Sequence, residues 1–137
     1  MRIAYLASAV TLPGSPTRRS DAFEHDQMMD SLGHSEPAEI RFEAVSWDDE
    51  TADWSAFDGA IIGTTWDYWD RVDEFLDTLE RIESQTRLFN PSALVRWNIH
   101  KGYLRDLETR GARLIPTLWL DTADETSARA AFETLGS

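Results

Sequence analysis

At 137 residues the chain has the length of one ordinary domain, enough to build a hydrophobic core without covalent staples. It has no cysteine, which excludes structural disulfides, thiolate chemistry and cysteine-based metal sites. Its 25 acidic and 13 basic residues give a net charge of −12, a surface that repels polyanions and argues against nucleic-acid binding.

The start, Met-Arg-Ile-Ala-Tyr-Leu-Ala, looks superficially like a signal segment, but its apolar run ends too soon and no cleavage pattern follows. No run approaches the length of a membrane helix. These features predict no membrane association and a cytoplasmic protein. Arg2 to Ala9 instead reads as a first strand. Residues 11–19, TLPGSPTRR, form a long loop at its carboxyl end. Ser20 or Asp21 is placed to cap a helix, and with Asp21 as the cap Glu24 falls three residues on as in a capping box. Ala22, Phe23, Met28, Met29 and Leu32 supply its apolar face, and Gly33 closes it.

Glu36-Pro37 reads as a turn, and Ile40 to Val45 as a second strand near a sheet edge. Residues 46–58 follow as an acidic loop, in which Trp47, Trp54 and Phe57 are expected to lie as lids over that edge. Ala60 to Ile62 is continuous and apolar, as for a parallel strand buried on both faces. Gly63 to Arg71 comes next, with Trp66, Asp67, Tyr68 and Trp69 in one connection. That composition suits either an interface or a ligand cleft. Asp70 is placed to cap the next helix, whose inward residues are Val72, Phe75, Leu76, Leu79 and Ile82.

Thr86 to Phe89 predicts a short fourth strand, broken by Asn90-Pro91, with a helical turn through Ala93 and Val95. Asn98 is placed to cap a helix with Tyr103, Leu104 and Leu107 inward, ended by Gly111. Leu114-Ile115 reads as a short strand stopped by Pro116. Thr122 and Glu125 suggest a capping box for a last helix carrying Ala128, Ala131, Phe132 and Leu135.

Alternating strands and helices predict an α/β fold, a three-layer Rossmann-like domain with a mostly parallel sheet. Strands one and three are the central ones. Ligands in such folds bind beyond the carboxyl ends of the strands. That places residues 11–19, 47–49 and 63–70 on one edge.

The chemical signals in the residues are weak. Gly14 lacks the repeated glycines of a dinucleotide loop, and no Walker-type motif is present. Arg18 and Arg19 precede a helix start, where an anion can be held. They also read as plain surface charge. His25, His34 and His100 have no partner at metal-ligand spacing, and no nucleophile elbow exists. Asp48-Asp49-Glu50 reads as a charged turn. Arg96, Lys101, Arg105, Arg110 and Arg113 form a basic island in the acidic chain. Lys101 sits in a first helical turn, where the dipole disfavours it. Trp97 beside Arg96 and Asn98 suits domain packing or nucleotide contact equally.

Several motifs occur in a fixed order: Trp47-Asp48-Asp49, Trp66-Asp67-Tyr68-Trp69, Leu88-Phe89-Asn90-Pro91, Arg96-Trp97-Asn98 with Lys101-Gly102-Tyr103-Leu104, and Ile115-Pro116-Thr117. Over residues 1–120 this series resembles the N-terminal domain of ATP-grasp ligases. The similar branch holds prokaryotic glutathione synthetase, the RimK-like ligases and the cycloserine-biosynthesis ligases. The resemblance implies a pre-ATP-grasp domain over 1–120, with 121–137 leading to an ATP-grasp domain not contained in the chain. It implies substrate contacts at Arg18, Arg19, Trp66, Asp67, Tyr68 and Trp69. Arg96, Trp97, Asn98 and Lys101 would lie on the interdomain or nucleotide side. No catalytic residue, metal ligand or cofactor is expected within the chain. ATP and magnesium belong to a full-length carboxylate–amine ligase acting on a small amino or carboxylic acid. The expected partner is the ATP-grasp domain or a second copy, and the chain alone is expected to be inactive.

Two other readings stand beside this one. The chain suits a stand-alone interaction or dimerisation module, because its final apolar helix needs a surface to cover it and it carries six tryptophans. A small independent enzyme working through Asp67 and Arg18-Arg19 lacks any paired acid, base or nucleophile at instructive spacing.

Overall fold

The computed structural model describes residues 1–34, 39–122 and 124–135. The expected turn at Glu36-Pro37 lies outside the described residues. The chain divides into two compact units, Met1–Ile99 and His100–Ser137.

The first unit is a four-stranded sheet with helices. Its strands are β1 (Arg2–Ala7), β2 (Arg41–Ser46), β3 (Gly59–Ile62) and β4 (Leu88–Phe89). They lie in the order β2-β1-β3-β4, and every pairing is parallel. β1 and β3 are therefore central and β2 is an edge, as their apolarity predicts. β1 stops at Ala7 rather than Ala9, because the amides of Thr11 and Leu12 both turn back to the Ser8 carbonyl.

Register assigns the two faces. Ile3 pairs with Phe42, Tyr5 with Ala44 and Ile61, and Ile61 with Phe89, so these share one face. Helix α1 (Phe23–Gly33) covers that face at Tyr5, where His25 meets the tyrosine ring edge-on. Ala4, Leu6, Ala60, Ile62 and Leu88 point the other way. They build the main core with Phe75, Leu79 and Ile82 of α2 (Val72–Glu83), and with Val95 near the middle of α3 (Ser92–Asn98).

Trp47, Trp54 and Phe57 belong to this core, which corrects their expected place as lids over the edge. The 47–58 connection crosses the α2 face without an α-helix of its own. The sheet beneath still has to be covered, and the aromatic side chains do it while the carboxylates between them stay in water or, at Asp48, pair with Arg71.

Cap assignments also change. Ala22, not Asp21, occupies the position before α1, because the Asp21 carboxylate is held by Arg19. Arg71, not Asp70, precedes α2, because Asp70 already lies in a 3-10 turn, Tyr68–Asp70. Asp73 still places negative charge at the positive end of that helix. Asn98 is the last residue of α3 rather than a cap.

In the second unit α4 (Tyr103–Thr109) has Tyr103, Leu104 and Leu107 half-buried, as their spacing predicts. Gly111 follows at φ +86°, the left-handed turn expected there. Leu114-Ile115 is not a strand, because residues 112–120 have no regular structure and no sheet partner among the described residues. Helix α5 (Glu125–Leu135) is capped by Asp124, which accepts from the Ser127 amide at 2.8 Å, rather than by Thr122. Among the described residues no helix is long and apolar enough to cross a membrane.

Candidate functional site

Because all four strands are parallel, the loops after β1, β2 and β3 leave the same edge of the sheet. The chain steps from β1 to β2 on one side and then to β3 on the other. Strand order thus reverses at β1, the place where open α/β sheets bind ligands. Two polar clusters tie the three loops together.

One cluster is buried. The Thr64 carbonyl accepts from the Ser8 amide at 3.1 Å, the Ser8 hydroxyl at 3.2 Å and the Thr11 hydroxyl at 3.0 Å. The Thr64 hydroxyl lies 2.7 Å from Nδ1 of His25 and 3.3 Å from the Thr11 hydroxyl. Ser8, Thr11 and His25 are almost wholly shielded from solvent. Burial pushes the Tyr5 phenol up and the His25 imidazole down, each toward its neutral form. Gly63 makes the arrangement possible. A Cβ there would stand 2.2 Å from the Tyr5 ring, so only glycine admits the tyrosine beneath the loop.

The other cluster gathers around Arg71. Its guanidinium reaches Asp48 and Asp67 at 2.8 Å each and Glu74 at 3.2 Å, and lies 4.4 Å over the Trp47 ring. Trp47 Nε1 donates to Asp67 at 2.8 Å. Burial works to raise the Asp48 carboxyl, but hydrogen bonds from Ser46 and Arg71 outweigh it and hold it below its ordinary value. Asp49 is bound by Thr51. Asp49 and Asp53 are thus satisfied within their own turns, whereas Asp48 reaches across to Arg71. Among the described residues no three His, Asp or Glu side chains gather as a metal site.

The residues expected to contact substrate divide between support and surface. Asp67 is held between Trp47 and Arg71, and Tyr68 packs on Phe75 with ring centres 5.2 Å apart. Arg18 reaches Asp26 at 2.7 Å and the Ala22 carbonyl. Arg19 forms a two-point pair with Asp21 and lies 5.7 Å over the Trp66 ring. Trp69 is 65% exposed and Trp66 partly so. The loop therefore points Asp67 and Tyr68 inward and offers indole surface outward. Of the second group, Arg96 bonds Glu80 on α2, and Trp97 and Asn98 complete α3. Lys101 belongs to the second unit, 6.0 Å over the Tyr103 ring.

Tyr5, Ser8, Thr11, His25 and Thr64 escape a reading for catalytic motifs. A signal for His25 does exist. Positions 22, 25, 29 and 32 follow helical spacing, and these are the buried or half-buried residues of α1 and the cap before it, whereas Phe23 and Met28 are exposed. A face chosen for apolarity alone passes over the histidine.

Comparisons with known proteins agree with this architecture. The family described as "D-cycloserine synthetase DcsG, N-terminal domain" matches residues 3–90, well over half of the chain. The cycloserine biosynthesis protein DcsG of Streptomyces lavendulae is 42% identical over 78 residues, covering 57% of this chain and 26% of that protein. The crystal structure of D-cycloserine synthetase DcsG superposes with a TM-score of 0.67 at 28% identity, over 100% of this chain and 43% of that one. The chain thus spans about a quarter of the curated relative and corresponds to the N-terminal portion of a larger ligase. The resemblance drawn from the ordered motifs is borne out, cycloserine branch included. The chain belongs to the family of DcsG N-terminal domains.

Proposed function

We propose that this chain is the substrate-side, structural domain of an ATP-dependent carboxylate–amine ligase. Residues 1–120 form the pre-ATP-grasp domain and 121–137 lead into the part that holds ATP and magnesium. The observation that carries this reading is the locked edge. The loops after β1, β2 and β3 are fixed by two polar clusters, and indole surface is left outward at Trp66 and Trp69. Rigid loops with exposed aromatic faces form one wall of a small-molecule site, and the other wall belongs to the remainder of the ligase. The wall offers apolar surface and the Arg19 guanidinium to an amino or carboxylic acid. Asp67 and Tyr68 shape the loop, and Arg96 to Asn98 with Lys101 serve the nucleotide side or the domain junction. Titration calorimetry of the 137-residue chain with magnesium and ATP is expected to give no binding heat. Magnesium-dependent ATP binding by this chain overturns the reading.

A second reading, an interaction or dimerisation module, is favoured by the exposure of Ile115 at 85% and Phe132 at 81%. Such surface marks a contact with another body. Light scattering separates the readings: mass that rises with concentration supports self-association, and a constant monomer mass supports an interdomain role.

A further inference from the structure

His25 has no part in the substrate wall described above, yet its side chain lies at the point where the loops after β1 and β3 meet. We infer that His25 is a positioning residue whose neutral ring locks the loop 63–71 to the loop after β1, and whose protonation releases that lock.

The proton accounting at Thr64 carries the inference. Thr11 has one hydroxyl proton, and both carbonyls it faces, Ser8 and Thr64, lie at 3.0 Å. That proton is spent on backbone. The Thr64 proton is then free to go to His25 Nδ1 at 2.7 Å or to the Thr11 oxygen at 3.3 Å, and the shorter path is the ring. Accepting it requires a neutral imidazole with its hydrogen on Nε2. A protonated ring carries hydrogens on both nitrogens, so Nδ1 has to donate to Thr64. The Thr64 proton must then move to the longer contact, and a positive charge is left among neutral groups.

The surroundings give that charge little compensation. Tyr5 faces the ring from β1, edge-on at 5.8 Å, and Thr64 faces it from the loop after β3. Both are neutral. The charged groups acting on it are Asp26 from its own helix and Arg18 from the first loop, which pair with each other at 2.7 Å and so largely cancel. Burial accordingly holds the imidazole below its ordinary value. The ring is 1% exposed, so the charge has to be relieved by movement or by water entry. Tyr5 fills the space under Gly63, which leaves the loop as the part that gives way. The inference concerns loop conformation and stands whatever the edge binds.

The test is hydrogen exchange of the intact 137-residue chain, followed by NMR with histidine ring shifts as a second readout. The Ser8 amide, which donates to the Thr64 carbonyl, reports the lock, and the Leu79 amide in α2 is the reference. After correction for intrinsic rates, Ser8 protection is expected to fall about tenfold or more between about pH 7.5 and about pH 5, and by more than any fall at Leu79, whose buried amide follows global stability. His25→Asn, whose amide sits near the Nδ1 position, is expected to keep the protection and lose its pH dependence. Thr64→Val is expected to lose it at both pH values. Equal Ser8 protection in the unmodified chain at both pH values overturns the inference, as does an unchanged pH dependence in His25→Asn. If that variant does not fold, the ring titration and Ser8 protection of the unmodified chain decide the matter.

Discussion

Nε1 of Trp47, the first residue after β2, donates to the carboxylate of Asp67 in the loop after β3 at 2.8 Å. The bond joins the acidic connection to the aromatic one, and Arg71 holds the same carboxylate from its other oxygen. Asp67→Ala leaves a fully buried indole N–H without its acceptor, at a cost of about 1–3 kcal/mol. Asp67→Asn keeps an acceptor for Trp47 but loses the charge toward Arg71, so a smaller loss of about 1 kcal/mol is expected. Urea unfolding is expected to order stability as native, then Asn, then Ala.

Gly63 and Gly14 separate two reasons for a glycine. Gly63→Ala drives a methyl into the Tyr5 ring and is expected to cost about 1–3 kcal/mol or more by overpacking. Gly14 has open space around its Cβ direction but a φ of +78°, so Gly14→Ala is expected to cost about 1 kcal/mol through backbone strain alone. Near-ultraviolet circular dichroism distinguishes them, with the tyrosine signal changing only for Gly63→Ala.

His25 and Asp48 each contribute a separate fall to the acid profile of stability. Folding lowers the His25 pKa, so the unfolded chain binds more protons just below its own value of about 6.5. Stability therefore declines as pH falls through that value, by at most ~1.4 kcal/mol per pH unit, until the folded value is reached. Folding also lowers Asp48. Its contribution is present above the unfolded carboxyl value of about 3.9 and is lost as pH falls through the lower folded one. His25→Asn is expected to remove the first fall and leave the second, measured by denaturant midpoints across the pH range.

The tryptophans are expected to separate by burial. Trp54 is 1% exposed in the core, so Trp54→Ala is expected to cost about 3–5 kcal/mol. Trp69→Ala is expected to leave stability within about 0.5 kcal/mol of the native chain, because its side chain is mostly in water. Denaturant midpoints check both.

Much of the architecture was legible before any coordinates. The unbroken apolarity of Ala60 to Ile62 and the helical spacing of Val72 to Ile82 predicted a central parallel strand followed by an amphipathic helix, and both are present. The ordered motifs pointed to the ligase family. Errors fell where a local rule met a distant competitor. Asp21 has the chemistry of a helix cap, but Arg19 claims its carboxylate. Trp47 and Trp54 sit in an acidic stretch that reads as surface, yet the sheet face above them had no other cover.

The sequence by itself determined the alternation of strands and helices over residues 2–98 and the family, because periodicity, turn residues and motif order are local properties. The tertiary structure alone decided what each edge residue does. Whether Asp67 faces a ligand or Trp47, and whether His25 is surface or a buried partner of Thr64, depends on contacts 20 and 39 residues apart in the chain. Such contacts are set by how strands align and which side chains compete for one buried acceptor, and that information has no signature in local spacing.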